Sequence, residues 1–259
     1  PDILYPLYVA DNGNEVYIEN YERTSMETGI FELNASMDQM IDSTSVEIFV
    51  DVEEIIADHL NYTGKRFPFF ISLTPEQDHI VMNGFNNYSF STVFLNTDMT
   101  FSGVYSGAAF DGAIKSILPL GGNQFSLARF SFTDLYVNPN ATLSPTTIDI
   151  AEAIPSEWNS ELDAESPVLI RTVSINSSEY VVYLATTKSN QLFLNAYVAG
   201  TNELAGTKYL GESVPLKACD FTGTADGGMM ILTQARIMSS FDRIATIKLS
   251  KEELESLVE

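Results

Sequence analysis

Short apolar runs alternate along the chain with clusters of Gly, Asn, Asp and Ser, and long helical periodicity is almost absent. Five turn-forming clusters recur: "DNGN" at 11–14, "PEQD" at 75–78, "LGGN" at 120–123, "INSS" at 175–178 and "ADGG" at 225–228. Each parts two runs rich in β-branched and aromatic residues, the pattern of a hairpin. The runs after the turns read "EVYIENY", "HIVMNGF", "QFSLARF", "EYVVYLA" and "MMILTQA". A third run follows with a shared ending: "IFELN", "VFLN", "LYVN", "LFLN" and "TIKLS". Four units add a fourth run: "SVEIFVDV" (45–52), "TFSGVYSG" (100–107), "TTIDIAEA" (146–153) and "GTKYLGES" (206–213). The repeating unit is thus four antiparallel strands in about 45–55 residues, and a period of that length marks a β-propeller.

Two of these runs, "YVVYL" (180–184) and "MMIL" (229–232), show no polar alternation. Half-buried strands alternate, whereas strands covered on both faces do not. The inner strands of a propeller blade lie between neighbouring sheets. A two-sheet sandwich predicts cleaner alternation and no period. The expectation is an all-β, five-bladed propeller forming one domain over 1–259, with units near 6–66, 67–112, 113–166, 167–214 and 215–250. The last unit has three strands and then "SKEELESLVE", a short C-terminal helix capped by Ser250, with Glu252 and Glu253 in its first turn. Its missing strand is expected from residues 2–5, pairing with 244–247 to close the ring and ending at Pro6. Two long connections, 51–68 and 154–167, each join an outer strand to the next inner one, which places them on the same end of the ring. In the first, Asp51 is expected to cap a helix carrying Ile55, Ile56 and Leu60.

Composition narrows the classes. The chain is 45% hydrophobic with a net charge of -22, a pI near 4.2 and a mean hydropathy of +0.03. That suffices for a real core, and no run reaches the ~18 apolar residues of a membrane span. The charge repels nucleic acid and anionic lipid, so neither is an expected partner. Cys219 is the one cysteine, which excludes an internal disulfide. It stands in the apolar stretch "LKACDFT" and is expected to be a small buried hydrophobe. The chain begins at Pro1, so a signal peptide or lipid-anchor segment would already be gone, and export is permitted.

The segment "FTGTADGGMMILTQARIMSSFDRIATIKLSKEEL" (221–254) resembles the C-terminal unit of uncharacterised propeller-like secreted lipoproteins of gut bacteria. The features are the "DGG" turn, the apolar strand, Phe241-x-Arg243-Ile244 and the ending Leu249-Ser-Lys-Glu-Glu-Leu254. Met229 and Thr233-Gln234 depart from the usual aromatic or Gly positions of that unit. The resemblance covers about 35 residues and elsewhere extends only to the repeat. It implies an exported protein in the periplasm or on the surface of a Gram-negative cell, and it carries over no catalytic residue.

The chemistry is sparse. No Gly-x-Gly-x-x-Gly, Walker A, His-Glu-x-x-His or Gly-x-Ser-x-Gly pattern occurs. Two histidines and one cysteine make a zinc site of the usual ligands an unlooked-for feature, and no metal or cofactor is expected. His79 reads as a polar residue at a strand edge. The expected ligand-binding residues lie on the long connections: His59 and Tyr62 in the first, Trp158, Glu157 and Glu161 in the second. A lone tryptophan among carboxylates suits a sugar ring, the indole stacking on it and the carboxylates accepting hydrogen bonds from its hydroxyls. The bland reading of the same stretch, with Asp163 and Glu165, is a solvated acidic loop. Catalytic residues are unassigned. The function expected is a non-enzymatic binding or interaction module of an exported lipoprotein, with a glycan or a protein as partner. The alternative is a glycoside hydrolase or lyase using carboxylates in the propeller channel; a glycosidase needs two of them across the scissile bond.

Overall fold

A computed structural model describes the chain except for residues 1–3, 75–78, 108–109, 151–153, 155 and 238–240. The fold is all-β, built from antiparallel sheets of mostly four strands. The chain divides into two compact units, 1–114 with 121–123 and 143–155, and 115–120 with 124–142 and 156–259.

The first unit holds two sheets. Sheet 1 is β1 (Leu4–Asp11), β2 (Glu15–Glu22), β3 (Glu27–Asn34) and β4 (Met40–Glu47), in that order. Asn12 Oδ1 accepts from the backbone N–H groups of Asn14 and Glu15, and Gly13 takes φ +89, so "DNGN" turns as its composition requires. Sheet 2 runs β5 (Ile71–Leu73), β6 (His79–Asn86), β7 (Ser89–Asn96) and β8 (Phe101–Ser106), with β12 (Ile148–Asp149) added in parallel beside β8. Tyr17 and Ile30 of sheet 1 pack with Ile80, Met82, Val93 and Leu95 of sheet 2.

The second unit holds three sheets. Sheet 3 is β9 (Gly112–Gly121, of which 115–120 belong to this unit), β10 (Gln124–Ser131), β11 (Asp134–Thr142) and β13 (Glu157–Asn159). Sheet 4 is β14 (Leu169–Ile175), β15 (Ser178–Thr186), β16 (Leu192–Val198) and β17 (Leu204–Leu210). Sheet 5 is β18 (Leu216–Gly223), β19 (Met229–Ile237) and β20 (Phe241–Leu249). Sheet 4 is covered on both faces. Val181, Tyr183 and Ala185 meet Ala128, Leu135 and Val137 of sheet 3, while Val182, Leu184 and Leu194 meet Ala218, Phe221, Met229 and Ile231 of sheet 5. This is why "YVVYL" carries no polar alternation. "MMIL" differs, because Met229 and Ile231 are fully buried while Leu232 is 37% exposed. Among the described residues of this unit, nothing packs on the second face of sheet 5. Cys219 is likewise exposed instead of buried. It is the extra residue of a β-bulge, since Ala218 pairs with Thr233 and Asp220 with Leu232, and a bulge turns its residue out of the regular alternation.

The expected closure does not form. Leu4 pairs with Glu22 and Tyr5 with Tyr21, so these residues begin β1 of sheet 1 and do not complete sheet 5. Asp2 and Ile3, also expected in that closure, lie outside the described residues. Pro6 does not end the strand either. It sits at a register shift on an edge strand that continues to Asp11, and bulges on edge strands are where sheets tolerate proline. The expected fourth strand of the third unit is also reassigned. Ile148 and Asp149 join sheet 2, and the chain reaches them by running over Gly103, where a Cβ would stand 2.6 Å from the Thr146 carbonyl oxygen. The fourth place in sheet 3 goes to β13.

Helix α1 (Glu53–Asn61) follows Asp51, whose Oδ1 accepts from Glu53 N–H at 2.9 Å, though Val52 holds the cap position. It buries Ile56 and His59 and leaves Leu60 exposed. Helix α2 (Lys251–Glu255) has Ser250 as its cap, with the reciprocal Ser250–Glu253 bonds of a capping box.

Candidate functional site

β13 lies against β11 with Tyr136 opposite Trp158, and β11 lies against β10 with Arg129 opposite Tyr136. Paired residues share a face, so Arg129, Tyr136 and Trp158 form one row across three strands. The row is graded in exposure. Arg129 is 5% exposed, with its Nε donating to Ser156 Oγ at 2.8 Å and its guanidinium 4.0 Å from the Tyr136 ring centre. Trp158, at the sheet edge, is 59% exposed. A buried cation thus backs a half-buried tyrosine, and beside the tyrosine an indole faces water.

The carboxylates stand elsewhere. Glu157 pairs with Val137, a core residue, and so points to the face opposite Trp158. Glu161 Oε2 accepts from the Tyr209 hydroxyl at 2.6 Å, and this bond raises the Tyr209 pKa above its ordinary value. Tyr209 meets Phe193 edge-on at 5.4 Å. The acidic loop is fastened down: Leu162 is buried and bridges to Thr187, Asp163 N–H donates to Thr186 O, and Lys188 Nζ donates to Ser160 O. The edge of sheet 3 therefore offers two surfaces, an aromatic row on one side and a Glu161–Tyr209 pair on the other.

His59 and Tyr62 belong to the first unit. The His59 ring is buried against Phe67 and Phe69, and its Nδ1 accepts from Phe67 N–H at 3.0 Å. Burial, helped by the Arg66 charge, lowers its pKa to about 4, so it is neutral at pH 7. In that setting it braces the return of the chain from α1. Tyr62 ends the helix in the left-handed region (φ 59), is 79% exposed and carries the Arg66 guanidinium 3.6 Å from its ring centre.

Sequence reasoning did not find Tyr136, Arg129 or Glu19. Tyr136 and Arg129 become legible only once the register of β10, β11 and β13 is known. Glu19 of β2 is fully buried, and neither of its carboxyl oxygens has a hydrogen-bond partner. Desolvation holds its pKa well above the ordinary carboxylate range. Among the described residues no group of three or more His, Cys, Asp or Glu could hold a metal ion, and no helix is long and apolar enough to cross a membrane.

No family model matches the chain, and no curated protein matches it. Among solved structures it is similar to prolyl oligopeptidase B from Galerina marginata, with 9% identity and a TM-score of 0.53 over 96% of this chain and 34% of that one. It is also similar to the periplasmic gluconolactonase of Pseudomonas aeruginosa, with 13% identity and a TM-score of 0.50 over 94% of this chain and 71% of that one. The chain thus spans about a third of the oligopeptidase's length. At such identities the likeness is one of fold, to proteins of the β-propeller class.

Proposed function

We infer that the chain is a non-enzymatic ligand-binding module of an exported bacterial protein, built of five successive propeller blades, and that its ligand is a neutral glycan held at the Trp158 edge of the third sheet. The observation that carries this reading is the Arg129–Tyr136–Trp158 row. An exposed indole beside a second ring gives an apolar platform of the width of a sugar face. The buried guanidinium fixes the tyrosine, so little side-chain entropy is lost on binding. The net charge of -22 argues for a neutral ligand over an acidic one. Export rests on the resemblance of residues 221–254 to secreted lipoproteins. The hydrolase alternative asks for two carboxyls facing a shared cavity. The shielded acids among the described residues are Glu19 and Glu32 of the first sheet; Glu19 is packed beside Thr28 and Gly84, and neither lies at the Trp158 edge.

The test is a glycan array probed with the parent, Trp158→Ala and Tyr136→Ala. Bound signal should fall about 10-fold or more for Trp158→Ala, the scale of one lost aromatic contact. Binding that survives both substitutions would remove the row from the site.

A further inference from the structure

The last turn of α1 is fastened to the segment that returns from it through one side chain. His59 is 6% exposed, and its Nδ1 accepts the Phe67 N–H at 3.0 Å. A neutral imidazole with an accepting Nδ1 carries its one proton on Nε2. The ring stands edge-on to Phe69, with 5.0 Å between centres, and tilted to Phe67. Those two phenylalanines lie on Phe85 and Phe90 at 4.9–6.0 Å. Phe85 and Phe90 are fully buried in β6 and β7. His59 thus sits at the margin of a phenylalanine cluster and holds the covering segment on it.

The setting suits a neutral ring and opposes a charged one. A second proton goes to Nδ1, the atom that faces the Phe67 N–H. The acceptor becomes a donor, the bond is lost, and two N–H groups point at each other. The charged groups on the return segment, Lys65 and Arg66, are both cations. Arg66 lies over the Tyr62 ring at 3.6 Å, and its charge disfavours the imidazolium. The carboxylates of α1 are engaged elsewhere or exposed: Glu53 accepts from the Tyr5 hydroxyl and pairs with Arg23, Asp58 accepts from the Thr63 hydroxyl, and Glu54 faces water. Asp111, from the loop after β8, pairs with Lys65. From β6 and β7 the ring's cluster receives only Phe85 and Phe90.

We propose that His59 is an acid-operated latch: protonation of Nδ1 breaks the bond to the Phe67 N–H and unfastens the last turn of α1 from residues 66–69, which opens the phenylalanine cluster to water while β6 and β7 stay paired. Linkage gives the sign and the size. Burial, helped by Arg66, lowers the ring's pKa from the ordinary 6.5 to about 4. The released ring therefore takes its proton first as pH falls. The latch is fully held above pH 6.5, weakens between 6.5 and about 4, and weakens no further below that. Over this window the ratio of closed to open forms falls about 300-fold, roughly 10-fold per pH unit. The device is independent of the Trp158 edge.

The experiment is hydrogen exchange of the whole chain at pH 7, 6, 5 and 4, corrected for the intrinsic pH dependence of exchange, on the parent, His59→Asn and His59→Phe. Asparagine puts an acceptor oxygen in the place of Nδ1 and cannot take the proton; phenylalanine keeps a ring without an acceptor. Both variants retain every carboxylate of the segment, so the histidine's part is the difference from the parent. Protection of the Phe67 N–H and of the last turn of α1 should fall in the parent about 10-fold per unit below pH 6 relative to His59→Asn, while β6 and β7 keep theirs. His59→Phe should exchange faster at pH 7 and show no such fall. In the parent, an NMR titration of the His59 ring should track the loss of Phe67 protection, a readout that needs no substitution. A parent that keeps its α1 protection down to pH 4 overturns the proposal. So does a loss equally steep in His59→Asn, a loss shared at the same pH by β6 and β7, or a ring that titrates with no change at Phe67.

Discussion

Replacing Glu19 by glutamine should make the protein more stable at neutral pH and leave it little changed at pH 4–5. Glu19 is fully buried, with both carboxyl oxygens unpartnered, and desolvation pushes its pKa well up in the folded state. The unfolded chain releases this proton near the ordinary glutamate value of about 4.3. Below that pH both states hold the proton and the burial is at its least costly. Above it the unfolded state ionises first, so stability falls as pH rises, by about 1.4 kcal/mol per unit, until the folded carboxyl ionises too. From pH 5 to pH 7 the parent therefore loses about 2–3 kcal/mol through this one residue, as long as the folded form keeps its proton. Glutamine is close in shape and does not titrate. Its amide is left unpartnered at every pH, as the protonated carboxyl is in the parent, so that cost is common to both proteins and the two differ little below about pH 5. The assay is urea unfolding of parent and Glu19→Gln at pH 5, 6, 7 and 8, read by far-UV circular dichroism because the one tryptophan is already exposed. The quantity of interest is the difference between the two proteins, in which the titration of the other carboxylates cancels. A difference that stays flat across this range would refute the reasoning and require a partner for Glu19.

Two further substitutions test the second unit. The Tyr183 hydroxyl lies between the carbonyls of Leu127 and Asn138 and against the Ser126 hydroxyl. Tyr183→Phe should cost about 1–3 kcal/mol in chemical denaturation, the scale of buried partners left unsatisfied, and an unchanged midpoint would mean that water replaces the hydroxyl. On β17 the backbone carbonyl of Leu257 passes directly over Gly206, leaving no room for a Cβ. Gly206→Ala should lift the C-terminal segment, expose Leu254 and Leu257 and cost about 3–6 kcal/mol, the transfer value of two buried leucines. Hydrogen exchange of α2 as slow as in the parent would count against it.

Inner strands were legible and outer ones only in part, for a physical reason: β8 and β17 fall on the expected runs at 100–107 and 206–213, while β4 and the fourth strand of sheet 3 do not. Strands such as β6, β7, β15 and β16 are buried almost throughout, and their apolar runs mark them without ambiguity. A fourth strand has one bare edge and a weaker pattern. β4 is mostly exposed and reads "MIDSTSVE", so the apolar stretch at 45–52 drew the expected strand about five residues too late. "TTIDIAEA" has the residues of a strand, but an edge strand is pinned by few side chains, and nothing local tells it which sheet to join. β13 is only three residues, "EWN", and contains no β-branched residue at all. The C-terminal helix was legible because capping is local: Ser250 and Glu253 complete their reciprocal bonds within one turn.

The same distinction decides what could be read of the site. Composition picked out Trp158 because it is unique, and Glu157 and Glu161 because they are its neighbours in sequence. Adjacent residues of a strand point to opposite faces. Once Glu157–Asn159 is a strand, sequence proximity separates Trp158 from Glu157, and strand register joins Trp158 to Tyr136, 22 positions away, and through it to Arg129. A glutamate row on sheet 1 follows the same rule, for Glu22, Glu27 and Glu47 look unrelated until β2, β3 and β4 are aligned. In a chain of short strands the functional neighbours of a residue are set by pairing. The aromatic row is therefore tested most sharply by substitutions made in cross-strand pairs.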